Sequence, residues 1–392
     1  MKAMVKERKI EVQMKNFNKF VLSASVLAAC AALASCGTKE DNNIHLQLVP
    51  SNDPTTLLTR ATALAPILDT YAPGFKFTID VGSTYAATTT ALEAGQIDGG
   101  FLPASGYAQE TIEHKGAIDL LLSASRKGYK VQADDFPGLT KEALERQRKA
   151  MNGEGGYKYR GEQSQTEVNF YCSVVLTLRD SVRTAKGLTP LDANRDGEVS
   201  LQEIHDAKAK WGTMGATSSA GFIYPTKYIF EGGFTKGFID ASGYEKLSEE
   251  DQKKSMINVT QSSYPGAVDN LMTGNIDVAV GFCDIRYGSA FVQANSKYHN
   301  DEKLFTDTYT QAILDPIMND TVCCYSKLSD AKKNAIKTAL KGAVHDGDPK
   351  KENSGAWLLY QIYSHTGYVD GKDSDYDAAR DMYRWQLTNS KK

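Results

Sequence analysis

The sequence has no motif for holding a catalytic metal, a nucleotide or an activated nucleophile. Its six histidines, at positions 45, 114, 205, 299, 345 and 365, form neither HExxH nor a close metal pair. GxSxG, the Walker loop and GxGxxG are absent. These absences remove the common hydrolase, metalloprotease, P-loop and dinucleotide chemistries, so no enzyme activity and no catalytic residue is expected. Cysteine is sparse. Cys172, Cys283, Cys323 and Cys324 follow no zinc spacing, and we expect small buried residues there, with any disulfide pairing left open. A basic excess is also missing: 45 Lys/Arg stand against 48 Asp/Glu, which argues against nucleic acid as a partner. The apolar run at 20–34, FVLSASVLAACAALA, falls short of the roughly 20 residues that span a bilayer.

That run follows a basic stretch and fits the apolar part of an export signal over residues 1–35. It ends in Leu33-Ala34-Ser35-Cys36, which resembles a bacterial lipobox and implies cleavage before Cys36 and lipidation of its thiol. Leu27-Ala28-Ala29-Cys30 also fits; Cys36 is preferred because the polar stretch 36–43 can serve as a tether. The expected location is extracytoplasmic, anchored by lipid to the bacterial cell membrane.

The rest, 41% hydrophobic and 24% charged across the whole chain, suits about two globular domains. His45–Val49 alternates as a strand, and Asp53-Pro54 opens a helix, Pro costing nothing at a first helical position. Further strands are expected at 75–81, 97–102 and 117–123, with a helix at 85–94. Strand and helix alternate as in an open α/β sheet, which binds ligands beyond the carboxyl ends of its strands. Ser51, Tyr85, Ser105 and Tyr107 fall near such ends. Residues 125–166 are polar and Gly-rich and read as a surface insertion, and 167–178 as a long strand. The tail should be mainly helical, at 330–342, 356–365 and 376–387.

An internal echo points to two similar lobes. Ser83-Thr84-Tyr85 and Ser262-Ser263-Tyr264 each begin a helix, with Leu92 or Leu271 at +7, Gly95 or Gly274 at +10, and Ile97-Asp98 or Ile276-Asp277 following. We expect a first lobe over 44–172, a second over 173–285, and a return to the first over 286–392. Two facing α/β lobes make a hinged binding protein.

The candidate ligand site centres on Thr217-Ser218-Ser219-Ala220-Gly221. Hydroxyl residues cap a helix expected over 222–230, and their oxygens with the free N–H groups of a first turn make a socket for a tetrahedral oxyanion. Tyr85, Tyr171 and Tyr264 offer hydroxyls and flat walls. Asp284 and Asp320 sit in expected loops and could hold a cationic group or a protonated oxygen of the ligand. No Lys or Arg lies within 212–226, so neutral donors are expected to do the gripping.

A second motif is more specific. Asp192, Asn194, Asp196, Gly197, Glu198, Ser200 and Glu203 match the twelve-residue EF-hand calcium loop at every key position. Asp192, Asn194 and Asp196 supply side-chain oxygens, Glu198 a carbonyl, Ser200 a hydroxyl or bridged water, and Glu203 a bidentate carboxylate. Pro190 stands where an incoming helix would run, so a structural calcium staple is expected rather than a sensor.

Together these pieces resemble the phosphate/phosphite/phosphonate-binding lipoproteins of bacterial ABC importers, of the type 2 periplasmic-binding-protein fold. The likeness covers about 44–385, apart from 125–166 and the calcium loop. It rests on Val49-Pro50-Ser51, Ser83-Thr84-Tyr85-Ala86-Ala87 with Gly95 and Asp98, Phe101-Leu102-Pro103 with Tyr107, Tyr171 and Ser173, Ser218-Ser219-Ala220-Gly221 with Pro225, Gly274 with Asp277, and Asn319-Asp320. It implies a monomeric α/β receptor of two lobes, each an open mixed sheet flanked by helices. Tyr85, Tyr171, Thr217, Ser218 and Ser219 would touch the oxyanion, with Asp284 and Asp320 facing the rest of the ligand. The captured phosphonate, phosphite or phosphate would pass to a membrane permease. Tyr264 stands where the family commonly has His. A sulfonate ligand on the same fold, or a calcium-dependent surface-interaction lipoprotein, are the alternative readings.

Overall fold

The structure is a computed structural model and describes residues 41–50, 54–216 and 218–389. The export segment, Cys30, Cys36, Ser51, the cap at Asp53 and Thr217 therefore lie outside the described residues. Asn42 onward packs as one unit. Among the described residues no helix is long and apolar enough to cross a membrane.

Thirteen described strands form two mixed sheets. The first contains β1 (Asn43–Leu48), β2 (Lys76–Val81), β3 (Gly99–Leu102), β4 (Ile118–Tyr129), β5 (Gln163–Val168), β12 (Thr321–Tyr325) and β13 (Gly367–Asp370). Its order is β13-β4-β12-β3-β1-β2, with β5 on β4. The second contains β6 (Phe170–Leu178), β7 (Lys210–Thr213), β8 (Gly237–Asp240), β9 (Ser255–Thr260), β10 (Val278–Phe282) and β11 (Thr308–Met318), in the order β11-β6-β10-β7-β9-β8. β1 pairs in parallel with β2 and β3, as β7 does with β9 and β10. β12 closes against β3, and β6 against β10, antiparallel. The two sheets of the expected α/β architecture are thus copies of one plan.

The copying reaches single atoms. Thr84 caps the helix Tyr85–Glu93 by accepting from Ala87 N, and Ser263 caps Tyr264–Thr273 by accepting from Gly266 N. Such caps stabilise a helix by about 1 kcal/mol. Gly95 (φ 66°) and Gly274 (φ 82°) then turn the chain through the left-handed region that side chains disfavour. Asp98 accepts from His45 N at 2.8 Å and Asp277 from Lys210 N at 2.9 Å, each tying the entry of one strand to the start of the central one. Lys332 pairs with Asp98, and Arg183 with Asp277.

The chain crosses between the sheets twice. β5 becomes β6 with only Asn169 between them, and β11 becomes β12 through Asn319-Asp320. Asn319 is fully buried and clamps both crossings: its N–H donates to Asn169 O, and its side-chain amide to the Ala124 and Val168 carbonyls.

Three expectations change. β11 keeps the chain in the second sheet up to Met318, past the boundary expected at 285. Gln311, Asp315, Pro316 and two irregularities in pairing break up its apolar alternation, so the pattern did not announce a strand. The 125–166 segment is more than a surface insertion. β4 runs on to Tyr129, the helix Lys141–Met151 packs beside β11, and Val131, Leu144, Met151 and Tyr159 enter a core built mainly from the second lobe. The helix after Ser218 opens with a wide π turn, Ser219–Ile223, before the α-helix Tyr224–Glu231.

Candidate functional site

The carboxyl ends of the parallel strands meet in a cleft of about 1250 Å³. Val49 lines it beyond β1, Pro103 beyond β3, Ser218 beyond β7 and Cys283 beyond β10. Three helical openings also reach it, at Tyr85, at Ser218-Ser219 and at Tyr264. A helix start presents unpaired N–H groups and the positive end of its dipole, so the cleft is biased towards anions.

Ser218 caps the π turn by accepting from Gly221 N at 3.2 Å, and its hydroxyl pairs with the Tyr264 hydroxyl at 2.9 Å. Tyr264 packs edge-on against Phe282, centroids 5.0 Å apart. Ser219 donates to Ser105 Oγ at 2.9 Å, a direct bond between the lobes. Ser173 supports the turn from beneath by donating to Ala220 O at 2.7 Å. Burial pushes the Tyr264 hydroxyl up to about 12, and raises those of Tyr85 and Tyr171 further. All three stay protonated at neutral pH and act as hydrogen-bond donors.

The structure brings Tyr85, Tyr171, Ser218, Ser219, Tyr264 and Asp320 together on the cleft wall. It does not bring the rest. Asp284 is fully buried and its two oxygens are taken by the Arg286 guanidinium at 2.7–3.0 Å, so it is a core ion pair rather than a ligand-facing acid. Ser105 lies behind Ser219 in a small side pocket. Gly221 is buried behind the wall, and a Cβ there would stand 2.4 Å from Met214 Cγ; its role is close packing. Ser51 and Thr217 are not described.

Sequence reasoning missed Arg126. It comes into the cleft because β4 continues past the sheet, and its Nη2 pairs with Asp320 at 2.6 Å while its guanidinium lies 5.2 Å from the Tyr171 ring centre. Arg126 Nε is buried with no partner among the described residues. The expectation of neutral donors alone is therefore corrected: Arg126 stands beside the hydroxyls, and Arg60, Lys127 and Lys297 also line the cleft. Asp320 faces Arg126 rather than awaiting a cation from the ligand. Burial alone would raise its carboxyl, but Arg126 and His365 outweigh burial and hold it below the usual range. His365 pairs through Nε2 with Asp320 at 3.2 Å and through Nδ1 with the Tyr368 hydroxyl at 2.9 Å, and burial holds the ring below its ordinary value. The signal in sequence was the Arg126-Lys127 pair, hidden by reading 125 as the start of an insertion. The four described cysteines, 172, 283, 323 and 324, are buried, as expected, and free, which the sequence left open.

The loop 192–203 is held by its own acids. Asp192 accepts from Asp196 N and Gly197 N, Asp196 from Glu198 N, and Glu203 from Asn194 N and from Ser200. Glu203 and Ser200 form a capping box on the helix Leu201–Asp206. The Glu198 side chain turns away to Arg148 at 2.9 Å, leaving its carbonyl for the loop. Asp180 fixes the entry by accepting from Leu191 N and Asp192 N, in place of a continuous incoming helix. Among the described residues only Glu93, Glu110 and His114 bring three metal-ligand atoms within 4.8 Å of one another; the loop's acids stand farther apart.

Solved structures share this fold. XAC2383 from Xanthomonas citri, bound to chloride ion, aligns with a TM-score of 0.57 at 12% identity over 89% of this chain and 99% of its own. A binding-protein component of an ABC phosphonate transporter from Pseudomonas aeruginosa gives 0.53 at 11% over 89% and 87%. PhnD1 from Prochlorococcus marinus, in complex with methylphosphonate, gives 0.54 at 10% over 88% and 99%. No curated protein sequence matches the chain. The family model of the periplasmic substrate-binding protein of phosphonate ABC transporters matches residues 46–376. The chain therefore belongs to the phosphonate-type substrate-binding proteins of ABC transporters, extracytoplasmic receptors that catch a small solute for a membrane permease.

Proposed function

We propose that this protein captures a phosphonate, or the related phosphite or phosphate, between its lobes. The observation that carries the reading is the meeting of Arg126, Tyr85, Tyr171, Ser218 and Tyr264 on one cleft wall. Protonated hydroxyls, helix openings and the Arg126 guanidinium are donors, and a tetrahedral oxyanion offers only acceptors and charge to match them. Asp320 takes part of the Arg126 charge, which favours a ligand that keeps one proton over a full dianion. A sulfonate meets the same donors and is the competitor to test.

The experiment is a thermal-shift and calorimetric screen of methyl- and aminoalkylphosphonates, phosphite, phosphate and sulfonates. A true ligand at a hundredfold excess over its Kd stabilises by about 2.7 kcal/mol. Ser218→Ala with Ser219→Ala, and separately Arg126→Gln, should abolish that shift while the folded spectrum persists. Normal binding by both variants would remove the site from consideration.

We also propose that the 192–203 loop takes calcium as a structural staple. All its donors are oxygens, they follow the required sequence spacing, and the Glu198 side chain is turned to Arg148 rather than into the loop. The lipid anchor at Cys36 and a monomeric state are proposals on the sequence grounds given above. A calcium-dependent adhesion role has no support from the cleft.

A further inference from the structure

The oxyanion end occupies only part of the cleft. A methylphosphonate fills roughly the space of three waters at about 30 Å³ each, and pockets of about 300–1,000 Å³ serve drug-sized ligands. The cleft measures about 1250 Å³. Its second part is formed by Tyr129, Tyr287 and Tyr360, from β4, the turn Tyr287–Phe291 and the helix Gly355–Tyr363. Tyr129 and Tyr287 meet edge to face at 5.9 Å and 88°, and Tyr287 stacks on Phe291 at 5.9 Å and 21°. Tyr287 also lies flush on backbone, since a Cβ on Gly161 would stand 2.7 Å from its ring. The Tyr360 hydroxyl reaches Gln163 Oε1, another lining group, at 3.4 Å.

One strand links the two parts. Arg126 and Tyr129 are three residues apart on β4, about 10 Å at 3.3 Å per residue. Regular alternation would send them to opposite faces. The pairing of β4 with β5 shifts between Lys127 and Tyr129, and residues 126–129 all line the cleft. Gly128 lies at the irregularity, where a Cβ would come 2.9 Å from Ala133 Cβ.

We propose that the ligand's organic group is a planar aromatic ring, seated against Tyr287 between Tyr129 and Tyr360, about 10 Å from an oxyanion held near Arg126. This deepens the function proposed above and rests on it. A tyrosine face held rigid by backbone and neighbouring rings offers stacking that an alkyl chain cannot use fully.

The test is titration calorimetry of the purified protein with methylphosphonate, n-nonylphosphonate and two aryl probes, 5-phenylpentylphosphonate and 4-(1-naphthyl)butylphosphonate, whose extended linkers carry the ring about 10 Å from phosphorus. The better aryl probe should bind about tenfold to a hundredfold more tightly than methylphosphonate and more tightly than the nonyl compound. Tyr287→Leu, which keeps bulk but removes the flat face, should bring the aryl-to-nonyl ratio to about one. Tyr129→Ala is the second variant should the first fail to fold. Equal or weaker binding of both aryl compounds than of methylphosphonate overturns the aromatic seat and leaves the oxyanion reading standing. An aryl-to-nonyl ratio unchanged by the folded variants also overturns it. Failure of every phosphonate to bind overturns both.

Discussion

Arg126, Asp320 and His365 form a charged chain from the cleft wall into the core, and its titration makes a prediction at the scale of single residues. Burial holds His365 below its ordinary value of 6.5, with Asp320 only partly offsetting this. The unfolded chain therefore takes up a proton first as pH falls, so stability is full above 6.5 and lost progressively below it. Asp320, also lowered, adds its own loss only below 3.8. His114 has the opposite sign, being raised by Glu110, so the comparison must be made against a variant. His365→Gln, which can still hydrogen-bond but not titrate, should flatten the fall in melting temperature between pH 6.5 and 5; an unchanged slope would show that His365 does not titrate there. Of the three, the sequence singled out only Asp320, and not its partners. Arg126, Asp320 and His365 are separated by well over a hundred residues in part, and no spacing rule joins them. Ser218 and Tyr264 were legible because each stands at a helix opening whose cap chemistry is local. Asp284 misled because its partner, only two residues on, turns back to bury it, and an adjacent Arg in sequence does not announce that turn.

At the scale of elements, the echo between the lobes was the most readable feature, because caps, turn glycines and strand-entry aspartates act within a few residues of themselves. The 192–203 loop, proposed to take calcium, is the same kind of element, a spacing that needs little from the rest of the fold. Glu203 forms the capping box and would fill the last ligand position of the proposed calcium site; hydrogen bonds from Ser200 and Asn194 outweigh its partial burial and lower its carboxyl. Chelator should lower the melting temperature of the wild type, and Glu203→Ala should lower it further in calcium while removing the chelator effect. A melting temperature indifferent to chelator in the wild type would count against the staple. Loss of the cap alone costs about 1 kcal/mol, so any larger calcium-dependent change belongs to the ion. β11 was the element that could not be read. Its strand state comes from pairing with β6 along its length, and pairing between distant segments leaves no local pattern when prolines and bulges interrupt the alternation.

At the scale of the whole molecule, two crossings clamped by Asn319 join two similar lobes, the arrangement of a hinge. Ser219 and Ser105 already bond across the lobes, so closure would extend an existing contact. Small-angle scattering should show the radius of gyration, about 20 Å for a chain of this length, decrease when a saturating phosphonate is added. An unchanged radius with calorimetric binding would mean that capture needs no closure. The sequence by itself determined the α/β class, the duplicated lobes, the hydroxyl-capped openings and the calcium-loop spacing, since each depends on residues a few positions apart. Tertiary structure alone decided that β4 delivers Arg126 and Tyr129 to one cleft, that Asp320 answers that arginine, and that Asp284 is sealed away. Those outcomes depend on which strands become neighbours, and that is settled by packing across the whole chain.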